Sequence, residues 1–272
     1  TYGDWSSDVC SSDLSRAGST LIARLGPARG AGATHRYDPS VTEPQESDAP
    51  EATATESDAN PHDPTTRLVL VRHAVTAQTG PLLSGRTPGI DLSEEGQRQA
   101  AATAARLAPP VRVDVVYASP IDRTQQTAAA IAAEHGLPVV TLEGVIEAEY
   151  GDWTGGRIAD LARTDLWKVV QTAPSRARFP NGESIAEMQA RMVAALDEVI
   201  ARHPGGHVVV VSHADPIKAA IAHYTGMHLD LFQRVQVSPA SVTIFEVGRF
   251  GATLVKANET GSLAELVPPA EA

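Results

Sequence analysis

Short apolar runs alternate with amphipathic stretches along most of the chain from residue 67 onward. The continuous run Leu68–Val71 is typical of a strand that is buried on both faces. Further strands are predicted at residues 113–117, 139–142, 208–211 and 241–247, with 253–255 pairing with the last of them. Apolar positions at helical spacing predict helices over residues 94–107, 121–134, 185–203 and 216–225, and a helical region over roughly 157–172.

Strands that alternate with helices predict an α/β fold. We expect one domain over residues 67–266, a three-layer α/β/α sandwich around a mostly parallel sheet. Ser93 is a suitable N-cap for the first helix, and Gly136 is placed to end the second. Residues 267–272 are expected to form a frayed tail.

The N-terminal quarter of the chain has a different composition. Residues 1–66 are rich in Ser, Gly, Ala, Thr, Pro and acidic residues and lack apolar periodicity, so we expect a disordered extension. Within it, the near-duplicates WSSDV and CSSDL resemble a translated sequencing adapter. A non-native origin of this segment is therefore the alternative to a natural extension.

Charge and cysteine content exclude several classes of function. The formal net charge is −11, and residues 36–65 contribute −7 of it, from eight acidic residues and Arg36. This charge argues against a general nucleic-acid binder, but local basic pockets remain compatible with it. The single cysteine, Cys10, allows no intramolecular disulfide and no cysteine-rich metal site. No apolar run reaches the ~20 residues of a membrane helix, and no signal-peptide pattern is present, so a cytoplasmic location is expected.

Polar side chains follow the predicted strands at the points where the strands end. Ligands of open α/β sheets bind beyond the carboxyl ends of the strands, so these positions are expected to converge on one site. They are Arg72 and His73 after the first strand, Ser119 and Arg123 after the second, Glu147 after the third, and His213 after the valine-rich strand.

This set of residues fits phosphoryl transfer. Arginine offers paired N–H donors to phosphate oxygens, a neutral imidazole is a competent nucleophile, and a protonated carboxyl can donate a proton to a leaving alkoxide. Taken singly, each residue has an ordinary structural interpretation as a turn, cap or surface residue. Two arginines at the same edge would repel a cation, which argues against a metal ion between His73 and His213; we expect neither a metal nor another cofactor.

Six segments resemble, in order, the signature blocks of the histidine phosphatase (phosphoglycerate-mutase-like) superfamily. These segments are LVLVRHAVT, IDLSEEGQRQA, YASPIDRTQQTA, IEAEYGDWTG, FPNGES and VVVVSHADPIKAAIAHYTG. Two further segments, LSGRTPGIDL and GMHLDLFQRVQVSPASV, are similar to an actinobacterial group of phosphatases or phosphomutases within that superfamily.

The resemblance implies a role for each candidate residue. His73 would be the phosphorylated nucleophile, Glu147 the proton donor, and Arg72, Arg123 and His213 would hold the phosphoryl group. Ser119 would lie near the phosphate, although it could equally serve as a helix cap. Thr79 stands where many members have Asn and would replace a pocket donor.

Several alternatives stay open at this stage. Arg86 is expected either at the pocket mouth or in a surface salt bridge, and Glu149 is a rival to Glu147 as the acid. Ala74 and Ala214 stand where the family usually has glycine, so each is expected to add a methyl group near the pocket.

The expected activity is a metal-independent phosphomonoesterase acting on a small phosphorylated metabolite. The alternatives are a phosphomutase and a non-catalytic protein that binds a phospho-ligand. Only about thirty residues separate Glu147 from Phe179. The resemblance implies a longer insertion there in the mutases, so the short segment favours a phosphatase whose selectivity depends on residues 154–179 and the loop around Arg86.

Overall fold

The computed structural model describes residues 64–261. The predictions for the N-terminal extension up to residue 63 and for the C-terminal tail lie outside the described residues. The described strands are β1 (Thr66–Arg72), β2 (Val115–Ala118), β3 (Val139–Thr141), β4 (His207–Ser212), β5 (Val242–Gly248) and β6 (Gly251–Glu259). The α-helices are α1 (Glu94–Leu107), α2 (Asp122–His135), α3 (Ile158–Leu161), α4 (Asp165–Thr172), α5 (Ile185–Arg202) and α6 (Ala214–Tyr224).

These strands form one six-stranded sheet in the order β3-β2-β4-β1-β5-β6. The first four strands in that order are parallel, and β5 and β6 add an antiparallel edge. The prediction of a mostly parallel sheet is therefore confirmed. The carboxyl ends of β1, β2 and β4 lie side by side, which brings together the residues that follow them.

The sheet is covered by helices on both faces, as a three-layer sandwich requires. Side chains of β1 alternate between the two cores: Val69 and Val71 pack with α1 and α2, whereas Leu68 and Leu70 pack with α5 and α6. All four are at most 3% exposed, which explains why the strand is apolar at consecutive positions.

Local signals set most of the helix boundaries. The Ser93 hydroxyl accepts a hydrogen bond from the Gly96 amide and caps α1, and Gly136 ends α2 in a left-handed conformation with φ 63°. Helix α5 begins with a reciprocal capping box between Ser184 and Glu187.

The predicted helical region over residues 157–172 consists of two short helices, α3 and α4. Thr164 caps the second of them through its hydroxyl, which accepts from the Trp167 amide. Helix α6 begins earlier than predicted, at Ala214, because Pro216 falls in its first turn, where an amide N–H needs no partner within the helix. Strand β6 is longer than the predicted residues 253–255.

A third apolar cluster lies between the sheet and the segment that follows β3. It contains Trp153, Trp167 and Phe179, which pack against α5 and α6. None of the helices in residues 64–261 is long and apolar enough to cross a membrane.

Candidate active site

A pocket opens at the carboxyl ends of β1 and β2. The predicted residues Arg72, His73, Thr79, Arg123 and Glu147 line it. His213 and Ser119 lie directly behind this layer and are fully buried. The structure thus brings the strand-end residues together, although they span more than half of the described chain.

His73 is held as a neutral imidazole whose two ring nitrogens have different partners. Its Nδ1 lies 2.8 Å from the carbonyl oxygen of Ala74, which can only accept, so Nδ1 carries the proton. Its Nε2 accepts from Nε of Arg123 at 3.2 Å. Burial, followed by the positive charges of Arg123 and Arg72, keeps the pKa of His73 well below its usual value. The lone pair of the ring therefore lies on Nε2, on the side that faces Arg123.

Arg123 lies at the centre of the buried layer. Its Nη2 donates to the Gly85 carbonyl at 2.7 Å and contacts Nδ1 of His213 at 3.3 Å. Its Nη1 is buried and has no hydrogen-bond partner among residues 64–261. A buried donor in this state favours an anionic oxygen as its partner.

Arg72 supplies a second buried guanidinium at the same edge. It is 4% exposed, and its Nη1 donates to the Val237 carbonyl at 2.5 Å. Two buried arginines with His73 between them make this end of the pocket strongly attractive to an anion.

The second histidine is oriented by Ser119. Because Arg123 can only donate, Nδ1 of His213 accepts, and the proton of His213 lies on Nε2, 2.8 Å from the Ser119 hydroxyl. Burial, then the charges of Arg123 and His73, keeps the pKa of His213 well below its usual value. The rings of His73 and His213 meet edge-on, with centroids 5.2 Å apart.

Glu147 is a buried carboxyl whose pKa is raised toward neutrality. Burial is the main cause that raises the pKa of Glu147 to about 7, and the Asp215 carboxylate is the second. The Ala148 amide and the charges of Arg123 and Arg72 oppose the increase. Oε1 accepts from the Ala148 amide at 2.9 Å, and Oε2 lies 3.9 Å from Nδ1 of His213. The protonated form therefore carries its proton on Oε2.

The remaining candidates lie in different places. The Thr79 hydroxyl accepts from the Thr76 amide at 2.9 Å at the pocket wall. Arg86 is bound by salt bridges to Glu149 and Glu183 at 3.2 and 3.1 Å. Glu149 is paired in this way and is partly exposed, so its surroundings differ from those of buried Glu147.

The two alanines have different surroundings. Ala214 lines the pocket, whereas the methyl group of Ala74 packs against Leu92, Ala100 and Ala240 in a small apolar cluster. Of these two alanines, the structure therefore places Ala214 and not Ala74 in the pocket lining.

Sequence reasoning missed a buried polar group behind Glu147. The Tyr150 hydroxyl donates to Oδ2 of Asp215 at 2.9 Å, and Oδ1 of Asp215 lies 3.8 Å from Nζ of Lys218. Burial, then the charges of Asp215 and Glu147, raises the pKa of Tyr150 well above its usual value, so its hydroxyl stays protonated. The spacing of an acid and a lysine three residues apart in an otherwise apolar helix was the available signal.

Within residues 64–261, no group of three or more His, Cys, Asp or Glu side chains is arranged to hold a metal ion. The buried charges of the pocket are instead two arginines and one carboxyl.

A family model of the histidine phosphatase superfamily (branch 1) matches residues 68–260. The chain belongs to the histidine phosphatase superfamily. The matched region contains every candidate residue from Arg72 to His213, and the match confirms the family predicted from the six sequence segments.

Curated relatives of this protein include a phosphoserine phosphatase and a bifunctional protein. Phosphoserine phosphatase 1 of Hydrogenobacter thermophilus is 34% identical over 205 residues, which cover 73% of this chain and 95% of that protein. A bifunctional protein of Mycobacterium tuberculosis is 32% identical over 232 residues, which cover 80% of this chain and 62% of that protein.

Solved structures of the same superfamily superpose on this histidine phosphatase. A phosphoserine phosphatase mutant of Entamoeba histolytica in complex with phosphoserine has a TM-score of 0.66 and 26% identity, covering 73% of this chain and 99% of that chain. A putative α-ribazole-5′-phosphate phosphatase of Escherichia coli has a TM-score of 0.64 and 27% identity, covering 72% of this chain and 98% of that chain.

Proposed function

We propose that this protein hydrolyses small phosphate monoesters through a phosphohistidine formed on Nε2 of His73. The observation that carries the proposal is the state of that imidazole. His73 is buried and neutral, its Nδ1–H is committed to the Ala74 carbonyl, and its Nε2 lone pair lies beside buried Arg123. Membership of the superfamily and the phosphatase relatives support hydrolysis of a phosphate ester.

Arg72 and Arg123 are proposed to bind the phosphoryl oxygens. The Nη1 group of Arg123, which has no partner among the described residues, would gain one on binding. Because the transferring group spreads negative charge over its equatorial oxygens, the two guanidiniums stabilise the transition state as well as the bound substrate.

In the first step, the Nε2 lone pair of His73 attacks phosphorus and forms the N–P bond while the ester P–O bond breaks. The proton on Oε2 of Glu147 moves to the leaving oxygen, so an alcohol departs and Glu147 becomes a carboxylate. His213 and Ser119 are proposed to hold Arg123 and the edge of the phosphoryl group in place.

In the second step, water attacks the phosphohistidine. Glu147 takes a proton from that water as the new P–O bond forms and the N–P bond breaks, which releases inorganic phosphate and restores neutral His73. A carboxyl with a pKa of about 7 suits both directions of transfer, because neither form is strongly favoured at neutral pH.

The proposed substrate class is a small phosphorylated metabolite. The printed names of the relatives refer to phosphoserine and α-ribazole-5′-phosphate. Thr79 is proposed as a neutral hydroxyl donor at the pocket wall, and Arg86 as part of the border of the pocket near Glu147.

The test is to mix the enzyme with a phosphomonoester whose phosphate is labelled, to stop the reaction rapidly without acid, and to look for label on the protein. We expect label that is lost in acid and stable in base, as for a phosphohistidine, together with release of inorganic phosphate. His73→Ala should abolish the label and lower turnover by at least about 10³-fold. Full turnover in His73→Ala would reject the mechanism, and an isomerised product without phosphate release would indicate a phosphomutase.

A further inference from the structure

The peptide unit that joins Glu147 to Ala148 is held at both ends. Its carbonyl oxygen accepts from Nε of Arg86 at 2.8 Å and from Nη2 of Arg191 at 2.9 Å. Its N–H donates to Oε1 of Glu147 itself at 2.9 Å. Because a peptide unit is planar, its carbonyl and its N–H turn together. The two arginines on the carbonyl side therefore determine where the N–H holds the carboxyl.

Both of these arginines are bound to one carboxylate, Glu183. Its Oε1 accepts from Nη2 of Arg191 at 2.6 Å and from Nη2 of Arg86 at 3.1 Å, and its Oε2 accepts from Nε of Arg191 at 3.0 Å. The same Oε1 accepts from the Glu149 amide at 2.8 Å, and the Glu183 amide donates to the Glu149 carbonyl at 3.0 Å. One side chain thus contacts both arginines and the backbone of the segment that carries Glu147.

Glu183 is ionised in this position. Burial by itself would raise its pKa, but the hydrogen bonds and charge of Arg191, with the Glu149 amide and Arg86, keep the pKa of Glu183 below its usual value. Its side chain is 14% exposed, so these charge-assisted bonds are only partly screened by solvent.

The backbone of residues 149–151 packs so closely against that of residues 180–182 that neither Gly151 nor Gly182 has room for a Cβ atom. A Cβ atom on Gly182 would lie 2.2 Å from the Glu149 carbonyl oxygen, and one on Gly151 would lie 2.0 Å from the Pro180 carbonyl oxygen. The contacts of Glu183 therefore join two segments that already pack backbone to backbone.

We infer that Glu183 is a positioning residue for the proton donor, acting through Arg86 and Arg191 on the Glu147–Ala148 peptide. This inference rests on the proposed role of Glu147 as general acid. Glu183 does not line the pocket and touches no reacting atom. Its loss releases the peptide carbonyl, the peptide turns, and the carboxyl of Glu147 moves away from the leaving oxygen, while Arg72 and Arg123 keep their phosphate-binding geometry.

A displaced general acid has a specific kinetic signature. A poor leaving group such as an alkoxide needs a proton as it departs, whereas p-nitrophenolate departs without one. The defect is therefore expected with alkyl phosphates and not with aryl phosphates. A variant that is merely less stable would lose both activities by the same factor.

The experiment compares kcat/KM for p-nitrophenyl phosphate with kcat/KM for the best alkyl phosphate of a substrate panel, in wild-type protein and Glu183→Gln. We expect the alkyl value to fall about tenfold while the aryl value changes by less than about twofold. The inhibition constant of inorganic phosphate should stay within about twofold of wild type, since the phosphate-binding arginines are untouched.

Glu187→Gln is the matched control. Glu187 lies in the first turn of α5, is paired with Arg178 and is more than half exposed, and it makes no contact with the Glu147 segment. We expect its alkyl-to-aryl ratio to equal that of wild type. If Glu183→Gln does not fold, Arg191→Lys replaces it in the experiment. Lysine keeps a cation for Glu183 but loses the guanidinium that also donates to the Gly144, Ile146 and Glu147 carbonyls. We expect this variant to lose activity on the alkyl phosphate and to keep it on the aryl phosphate.

An equal loss on both substrates, or no loss on either, in the folded variants would overturn the positioning role. Wild-type protein that hydrolyses neither substrate would instead reject the proposed function, irrespective of Glu183.

Discussion

The protonation state of Glu147 depends on a residue that is distant in sequence. Asp215 enters from the first turn of α6, and its carboxylate is the second cause, after burial, of the raised pKa of Glu147. The Tyr150 hydroxyl and Lys218 hold Asp215 in place. A like charge near a buried carboxyl makes its ionised form less favourable, so Asp215 helps to keep Glu147 protonated.

Asp215→Asn removes that charge and keeps an acceptor for the Tyr150 hydroxyl. We expect the pKa of Glu147 to fall by roughly half a unit to one unit, since burial continues to raise it. In the proposed mechanism Glu147 must be protonated to act as the general acid. The decline of kcat/KM for an alkyl phosphate at rising pH should therefore begin at lower pH in the variant, as a pH–rate profile would measure.

Asp197→Asn is the control for this prediction, because Asp197 also accepts from a tyrosine hydroxyl, Tyr224, but lies exposed on α5 away from the pocket. Its pH profile should match that of wild type. A profile of Asp215→Asn that is unchanged or displaced to higher pH would contradict the assigned influence of Asp215.

The residues that follow strands were predictable from sequence, whereas the residues behind them were not. Arg72, His73, Glu147 and His213 follow apolar runs, and the parallel order of the strands determines that they meet. Asp215 and Glu183 act through contacts between α6 or α5 and the segment after β3. Those contacts depend on how the layers pack, which strand and helix periodicity does not encode. For the same reason, the direction of the Ala74 methyl group could not be read from the sequence.

At the scale of elements, α1 is docked onto the loop that follows β1. The Ser93 amide donates to the Val75 carbonyl at 3.1 Å, and Gly96 in the first turn faces the same carbonyl. A Cβ atom on Gly96 would lie 1.9 Å from that oxygen. The loop carries the residues just after His73, so the position of α1 bears on the pocket wall.

Gly96→Ala should destabilise the protein although alanine is the better helix former. Helix propensity favours the change by about 0.5–1 kcal/mol, but the clash with backbone forces α1 and the loop apart, at a cost of about 1–3 kcal/mol. We therefore expect a lower free energy of unfolding and reduced activity. Thermal and urea unfolding of the purified variant measure the first, and phosphate release measures the second.

Gly136→Ala serves for comparison, since nothing lies within 4 Å of its Cβ position and only its left-handed conformation, φ +63°, opposes alanine. We expect a loss of about 1 kcal/mol there, with activity retained. Gly96→Ala that is as stable and active as wild type would show that the close contact is relieved without cost.

Element boundaries were predictable where a side chain caps a helix and less so elsewhere. Ser93, Ser184 and Gly136 mark their helix ends in the sequence and in the structure alike. The division of the helical region over residues 157–172 into α3 and α4 was not specified by the sequence pattern, because apolar positions lie on both sides of Thr164. Those positions pack around Trp153 and Trp167 in the third apolar cluster.

At the scale of the molecule, an acidic chain contains a buried cationic pocket. The net charge is −11, yet Arg72 and Arg123 are 4% and 3% exposed at the same edge of the sheet. Buried like charges oppose folding unless an anion offsets them. Bound phosphate is therefore expected to stabilise the whole domain and not only to occupy the site.

Inorganic phosphate should raise the melting temperature of the wild-type protein. At about 100 times its dissociation constant, a ligand of the native state adds about 2.7 kcal/mol, which corresponds to roughly 5–10 °C for a domain of this size. Arg123→Met should lose most of that increase. Differential scanning calorimetry at matched ionic strength, with chloride as the comparison anion, measures the effect, and an undiminished increase in Arg123→Met would contradict the assignment.

The third apolar cluster has an evolutionary consequence. The segment between Glu147 and Phe179 packs around its own aromatic residues, Trp153, Trp167 and Phe179. Its two ends meet at the close backbone contact between Glu149 and Gly182. Its outer surface can therefore change sequence, and even length, while His73 and both arginines keep their positions at the ends of the strands. Relatives that share the sheet could diversify their substrates by exchanging this one stretch, and a chimera that receives it from another member should inherit the donor's preference together with the host's chemistry.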